Sequence, residues 1–134
     1  MKRILLATAA IAFATTMAFA NPMTGTGTMG TGATAVKILV DSKGMTLYTY
    51  DKDTKGAAAS ACTGGCLTNW PAFPATATDT ATGDWTLVNY TGSDGKVIKQ
   101  WAFKGQALYY NVNDKKAGDA TGDSATGVWH VVKQ

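Results

Sequence analysis

Glutamate is absent from this 134-residue chain, histidine occurs once, at His130, and arginine once, at Arg3. All nine acidic residues are aspartate. General acid–base work would therefore fall to an aspartate or to His130, and no nucleophile-elbow pattern accompanies that histidine to make a serine-type triad. The shortage of arginine, on a chain whose net charge is only +3, speaks against nucleic acid, which is read by clustered Arg and Lys. It equally speaks against strong electrostatic binding to a membrane surface. After residue 20 no apolar run approaches the roughly 18 residues that span a bilayer. No segment sustains a capped 3.6-residue apolar period, so a helical fold is excluded.

The N-terminus has a different character. Lys2 and Arg3 precede an apolar run from Ile4 to Ala14, and Ala18-Phe19-Ala20 forms an A-x-A site. Residues 1–20 read as a signal peptide, with cleavage expected between Ala20 and Asn21. No cysteine follows the run closely enough to carry a lipid, so a soluble exported protein without a lipid anchor, periplasmic or extracellular, is expected. Residues 21–34 (NPMTGTGTMGTGAT) are Gly/Thr low complexity and read as a flexible leader with little to bury. The remainder, 35–134, is one domain's worth of chain.

Within it a pattern appears twice. Gly44, Leu47, Tyr48 and Asp53 recur as Gly105, Leu108, Tyr109 and Asp114, 61 positions later. Such repetition marks units that complete one another's apolar faces. The expected fold is all-β: six or seven short antiparallel strands in two pseudo-equivalent halves, 35–84 and 85–134. Strands are expected at 36–40, 45–50, 85–90, 96–103, 107–112 and 128–132, with Asp94-Gly95 as a hairpin turn. A long Ala/Thr/Gly stretch, 54–83, must be tied down somewhere. If Leu47 and Leu108 face inward, strand alternation puts Tyr48 and Tyr109 on the opposite face.

These residues resemble the secreted repeat family of bacterial exported proteins and lipoproteins marked by a Tyr-x-(Phe/Trp/Tyr)-x-x-Asp motif, here Tyr48-Thr-Tyr50-Asp-Lys-Asp53. The resemblance extends to Cys62-x-x-x-Cys66, Trp70-Pro71, Asp94-Gly95, Gln100-Trp101, Gly105-x-x-Leu108-Tyr109, Asp114, Gly118, Gly127 and Trp129, over about residues 35–133. It departs at Asn111, where the second copy lacks the motif's aromatic. It implies the β fold and export, and no settled molecular function.

Cys62 and Cys66 are the only cysteines. In an exported chain they read as a structural disulfide. A redox pair is the sharper alternative, weakened by three intervening residues and by no helix expected after them. Asp53 and Asp114 read as turn-fixing side chains that accept loop N–H groups; the alternative is a hard-cation site using Asp51 and Asp53. A copper site through Met23, Met29, Met45 and His130 is a further alternative. The candidate binding set is Tyr48, Tyr50, Trp70, Tyr109, Tyr110, Trp129 and His130, which if exposed would form an aromatic platform. The functional expectation is a non-catalytic binding module of the cell envelope, with no catalytic residue, cofactor or metal assigned and its ligand or protein partner unnamed. A thiol-redox accessory and a metal-binding protein are the alternatives.

Overall fold

The computed structural model describes residues 22–134. The expected signal peptide and its cleavage site lie outside the described residues. Among those residues the chain forms seven strands: β1 (Thr24–Met29), β2 (Val36–Asp41), β3 (Tyr48–Tyr50), β4 (Trp85–Thr91), β5 (Val97–Phe103), β6 (Gln106–Ala107) and β7 (Trp129–Val131). One α-helical turn, α1 (Cys66–Asn69), and two 3-10 turns, Gly32–Thr34 and Ala125–Gly127, interrupt them. All strand pairing within the sheets is antiparallel.

The sheets are β1–β2, β3–β7 and β4–β5–β6. They are sewn together through single bridges. Leu39 N–H donates to Val132 O at 2.8 Å, joining β2 to the chain after β7. Tyr48 and Tyr109 exchange backbone bonds of 2.8 and 2.9 Å, joining the first repeat to the second. The two halves are therefore not separate lobes: β3, from the first, lies between β7 and Tyr109, both from the second.

Two apolar clusters flank these central strands. Ile38, Val40, Tyr48, Val88, Ala102, Tyr109, Trp129 and Val131 form one. Leu39, Leu47, Phe73, Trp101 and Leu108 form the other. Alternation along a strand sends successive side chains to opposite faces, so Leu47 fills one core and Tyr48 the other. The Leu and Tyr of each pair do face opposite ways, and both directions lead into a core: both members are fully buried. A strand covered on both faces has no solvent side to receive its alternate residues.

The long stretch after Thr54 is tied at several points. Ala58 O accepts from Asn89 N–H and Ser60 N–H donates to Asn89 O, both at 2.9 Å. Phe73 bridges Leu108 and Trp101 with backbone bonds of 2.9 and 3.0 Å. The Cys62–Cys66 disulfide closes the turn between them.

The structure also corrects the leader. Six of its residues, Thr24–Met29, form β1 against β2. The alternation of Thr with Gly explains the pairing. A Cβ on Gly27 would lie only 2.6 Å from Val40 Cγ1, so glycine lets the Val40 methyls pack against the strand backbone.

Candidate functional site

The repeated Tyr and Asp side chains pair across the repeats, not within them. Tyr48 Oη donates to Asp114 Oδ2 at 2.6 Å. Tyr109 Oη donates to Asp53 Oδ2 at 2.8 Å. Each tyrosine of one motif thus meets the aspartate of the other. The second oxygen of each carboxylate holds its own loop: Asp53 Oδ1 accepts from Ala61 N–H at 2.6 Å, and Asp114 Oδ1 accepts from the N–H and hydroxyl of Thr121 at 2.9 and 2.7 Å. Together with the Tyr48–Tyr109 backbone bridge, this makes a reciprocal lock at the centre of the domain. A third pair, Tyr110 Oη to Asp41 Oδ2 at 2.8 Å, fastens the β2 turn, where Asp41 Oδ1 also accepts from Lys43 and Met45 N–H.

Burial sets the electrostatics. Desolvation first, then the hydrogen bond to Asp114, holds the Tyr48 phenol well above its ordinary range. Desolvation likewise raises Tyr109, and desolvation followed by Asp41 raises Tyr110. Burial pushes the Asp53 carboxyl up, against the pull of the Ala61 N–H and the Tyr109 hydroxyl. These phenols are fixed donors, held protonated.

Above the lock lies an aromatic stack. Trp129 is sandwiched between Trp70, at 3.8 Å between centroids and 4° between planes, and Tyr50, at 4.2 Å and 13°. Tyr48 meets Trp70 edge-on and Tyr109 meets both Tyr50 and Trp129 edge-on. The T-shaped pairs stabilise beyond their buried area. In the second repeat Asn111 occupies the place of Tyr50. It is buried, and its Oδ1 accepts from Asn113 N–H at 2.8 Å.

Of the candidate binding residues, Tyr48, Tyr109 and Trp129 are buried. They do not form an exposed platform, because the rings use their faces on one another. Tyr50, Trp70 and Tyr110 are half-buried. His130 sits on the outer face of β7, with Nε2 2.8 Å from Asp51 Oδ2, both side chains in water. Cys62 is fully buried and Cys66 half-exposed. A single helical turn does follow the pair, contrary to expectation, but it begins at Cys66. Among the described residues no three His, Cys, Asp or Glu side chains are grouped as metal ligands would be. Met29 and Met45 stand at opposite ends of β2, about 17 Å apart along a strand of that length.

A different surface carries the concavity. An open groove of about 330 Å³ runs between the segment around α1 and the β4–β5 hairpin, lined by Leu67, Pro71, Pro74, Tyr90, Ile98 and Asp94 among others. Tyr90 and Ile98 are direct cross-strand partners, and Ile98 keeps 39% of its surface in water. Asp94 is occupied by the hairpin turn, its Oδ1 accepting from Lys96 N–H at 3.0 Å.

A family model described as a secreted repeat of unknown function matches residues 31–73 and again residues 89–133. The chain belongs to that family. Each matched stretch contains one tyrosine and one aspartate of the lock, so the family's repeat is the unit that the lock joins to its copy. Comparison with curated proteins and with solved structures returns no match. The family is a secreted one, and no helix of the described residues is long and apolar enough to cross a membrane.

Sequence reasoning missed the groove. Tyr90 and Ile98 read only as strand residues, and Leu67 and Pro71 fall in the long Ala/Thr/Gly stretch, 54–83. The available signal was an apolar pair two places short of a hairpin turn, where a small domain has nothing left to bury it. Gly122 was also missed. Its N–H donates to Tyr48 Oη at 3.2 Å, and a Cβ there would meet Trp70 Cη2 at 2.6 Å and crowd Asn111 Nδ2.

Proposed function

We propose that the protein is a non-catalytic binding module of the cell envelope, and that its ligand surface is the groove beside the β4–β5 hairpin. The observation that carries the reading is the uncovered apolar lining of that groove, with Tyr90 and Ile98 on one wall and Leu67 and Pro71 on the other. Its volume is within the range of small-ligand sites, about 300–1,000 Å³. The repeated aromatics, engaged with one another and with Asp53 and Asp114, serve as the scaffold that positions this surface. The ligand it suits presents an apolar side chain or ring, matched to Leu67, Pro71, Tyr90 and Ile98. Export with cleavage after Ala20, and release without a lipid anchor, belong to the same proposal. The redox alternative has less support, because three residues separate the cysteines and the first of them, Cys62, does not stand at a helix N-terminus.

The test is a titration of isotope-labelled protein with indole and with tri-leucine, followed by amide shifts. Shifts are expected to gather at Leu67, Tyr90, Gly92 and Ile98, and to vanish in Ile98→Asp at an unchanged melting temperature. Shifts centred on Tyr50 and Trp70, or none from either probe, would overturn the reading.

A further inference from the structure

Most strand edges in this domain are covered by its own chain. The outer edge of β4 is strapped by Ala58 and Ser60 through Asn89. Beside β7, Ser124 N–H donates to Trp129 O at 2.7 Å and Val131 N–H to Asp123 Oδ1 at 3.0 Å. Edges left open invite pairing with another chain, and proteins guard them with charge, proline or a covering loop. β1 has none of these among the described residues: Thr24–Met29 contains no charge and no proline.

The register shows which of its backbone groups face outward. On β2, Leu39 and Asp41 N–H and the carbonyls of Lys37 and Leu39 bond away from β1, to Val132, Met45, Gln134 and Leu47. The residues of β2 that bond toward β1 are therefore Val36, Ile38 and Val40, whose partners are Met29, Gly27 and Gly25. By the alternation of an antiparallel ladder, the N–H and C=O groups of Thr24, Thr26 and Thr28 point out from the edge. That set is symmetric about Thr26. An antiparallel copy of the same strand, centred on the same residue, brings Thr24 opposite Thr28, Thr26 opposite Thr26, and Thr28 opposite Thr24.

We propose that β1 pairs with β1 of a second copy of this chain, on a two-fold axis through Thr26. The pairing satisfies all the outward groups of both strands, about six hydrogen bonds, and sets threonine against threonine at each step. The charged residues nearest β1 are Lys37 and Asp41, both on β2 and one strand removed from the axis, so no like charges meet across it. The contact is isologous, the same strand of each copy meeting its counterpart, and so closes at a dimer. The product is a continuous sheet in the order β2–β1–β1–β2.

Sedimentation of the exported chain across micromolar to millimolar concentration, combined with two cysteine variants, tests this. The expected result is a dimer that dissociates on dilution. Thr26→Cys is expected to oxidise to a covalent dimer, since its two copies would stand about 5.5 Å apart between Cα atoms, within disulfide reach. Thr24→Cys is expected to cross-link at least about tenfold less, because its copies would be about 13 Å apart along the strands. Thr26→Lys, which sets two ammoniums against each other, is expected to weaken the dimer by about tenfold without lowering the melting temperature of dilute, monomeric protein. A chain monomeric at millimolar concentration, equal cross-linking at positions 24 and 26, or a dimer indifferent to Thr26→Lys would each overturn the proposal. If Thr26→Lys loses its fold, the cysteine pair still decides the matter.

Discussion

Replacing Tyr48 by phenylalanine removes one oxygen and leaves the ring in place, edge-on to Trp70. That oxygen makes two bonds: it donates to Asp114 Oδ2 and accepts from Gly122 N–H. A hydrogen bond to a charged group contributes about 1.5–3 kcal/mol, and a buried N–H left without an acceptor adds about 1–3 kcal/mol when no water reaches it. The expected loss for Tyr48→Phe is about 3 kcal/mol on this basis. Tyr109→Phe removes the bond donated to Asp53 Oδ2 and the weaker approach of Ser60 and Gln100 to the same hydroxyl, while Asp53 Oδ1 keeps the Ala61 N–H. Its expected loss is about 2 kcal/mol. For a domain near 100 residues, each kcal/mol moves the melting temperature by about 5 °C. The drops should therefore be about 15 °C and about 10 °C, read by calorimetry and checked by urea unfolding. Losses below about 0.5 kcal/mol for both would refute the reasoning.

Three further outcomes are expected. The raised Tyr48, Tyr109 and Tyr110 phenols contribute stability that is fully present below the ordinary phenol pKa of about 10 and is lost as pH rises past it. Above that pH, Tyr48 and Tyr109 alone should steepen the loss by about 3 kcal/mol per pH unit, with their phenolate absorbance appearing only as the chain unfolds. Replacing both Cys62 and Cys66 by serine opens a loop with a sequence separation of 4 and should cost about 2 kcal/mol on the loop-entropy model, measured as a urea midpoint. Gly122→Ala forces a methyl against Trp70 and Asn111; overpacking of this kind costs about 1–3 kcal/mol, and it should also disturb the far-ultraviolet dichroism of the stacked Trp70–Trp129 pair.

Much of the fold is legible along the chain because its signals are local. β-branched runs such as Val36–Val40, the Asp94-Gly95 turn and the paired cysteines each announce a short-range structure. β1 escapes such a reading: Thr24–Met29 has almost no apolar side chain, and its pairing rests on what glycine allows Val40 to do. The site is harder to read for another reason. Alternation tells that Leu47 and Tyr48 face opposite ways, but not that both directions lead into a core. The aspartate that ends each motif points, along the chain, to its own loop; that its second oxygen reaches the other motif's tyrosine is a fact of tertiary pairing. Thr121 and Gly122, which complete the lock, stand in a polar loop with no pattern to mark them. The groove is a juxtaposition of α1 with a hairpin some thirty residues later, which no single stretch of sequence records.

The central claim is that the family's repeated tyrosine and aspartate lock one repeat to the other. A pair of double-mutant cycles on unfolding free energy tests it most directly. The crossed pair, Tyr48→Phe with Asp114→Asn, should show a coupling of about 1–3 kcal/mol, while the pair within one motif, Tyr48→Phe with Asp53→Asn, should add to within about 0.5 kcal/mol. Coupling inside the motif and additivity across the repeats would contradict the account.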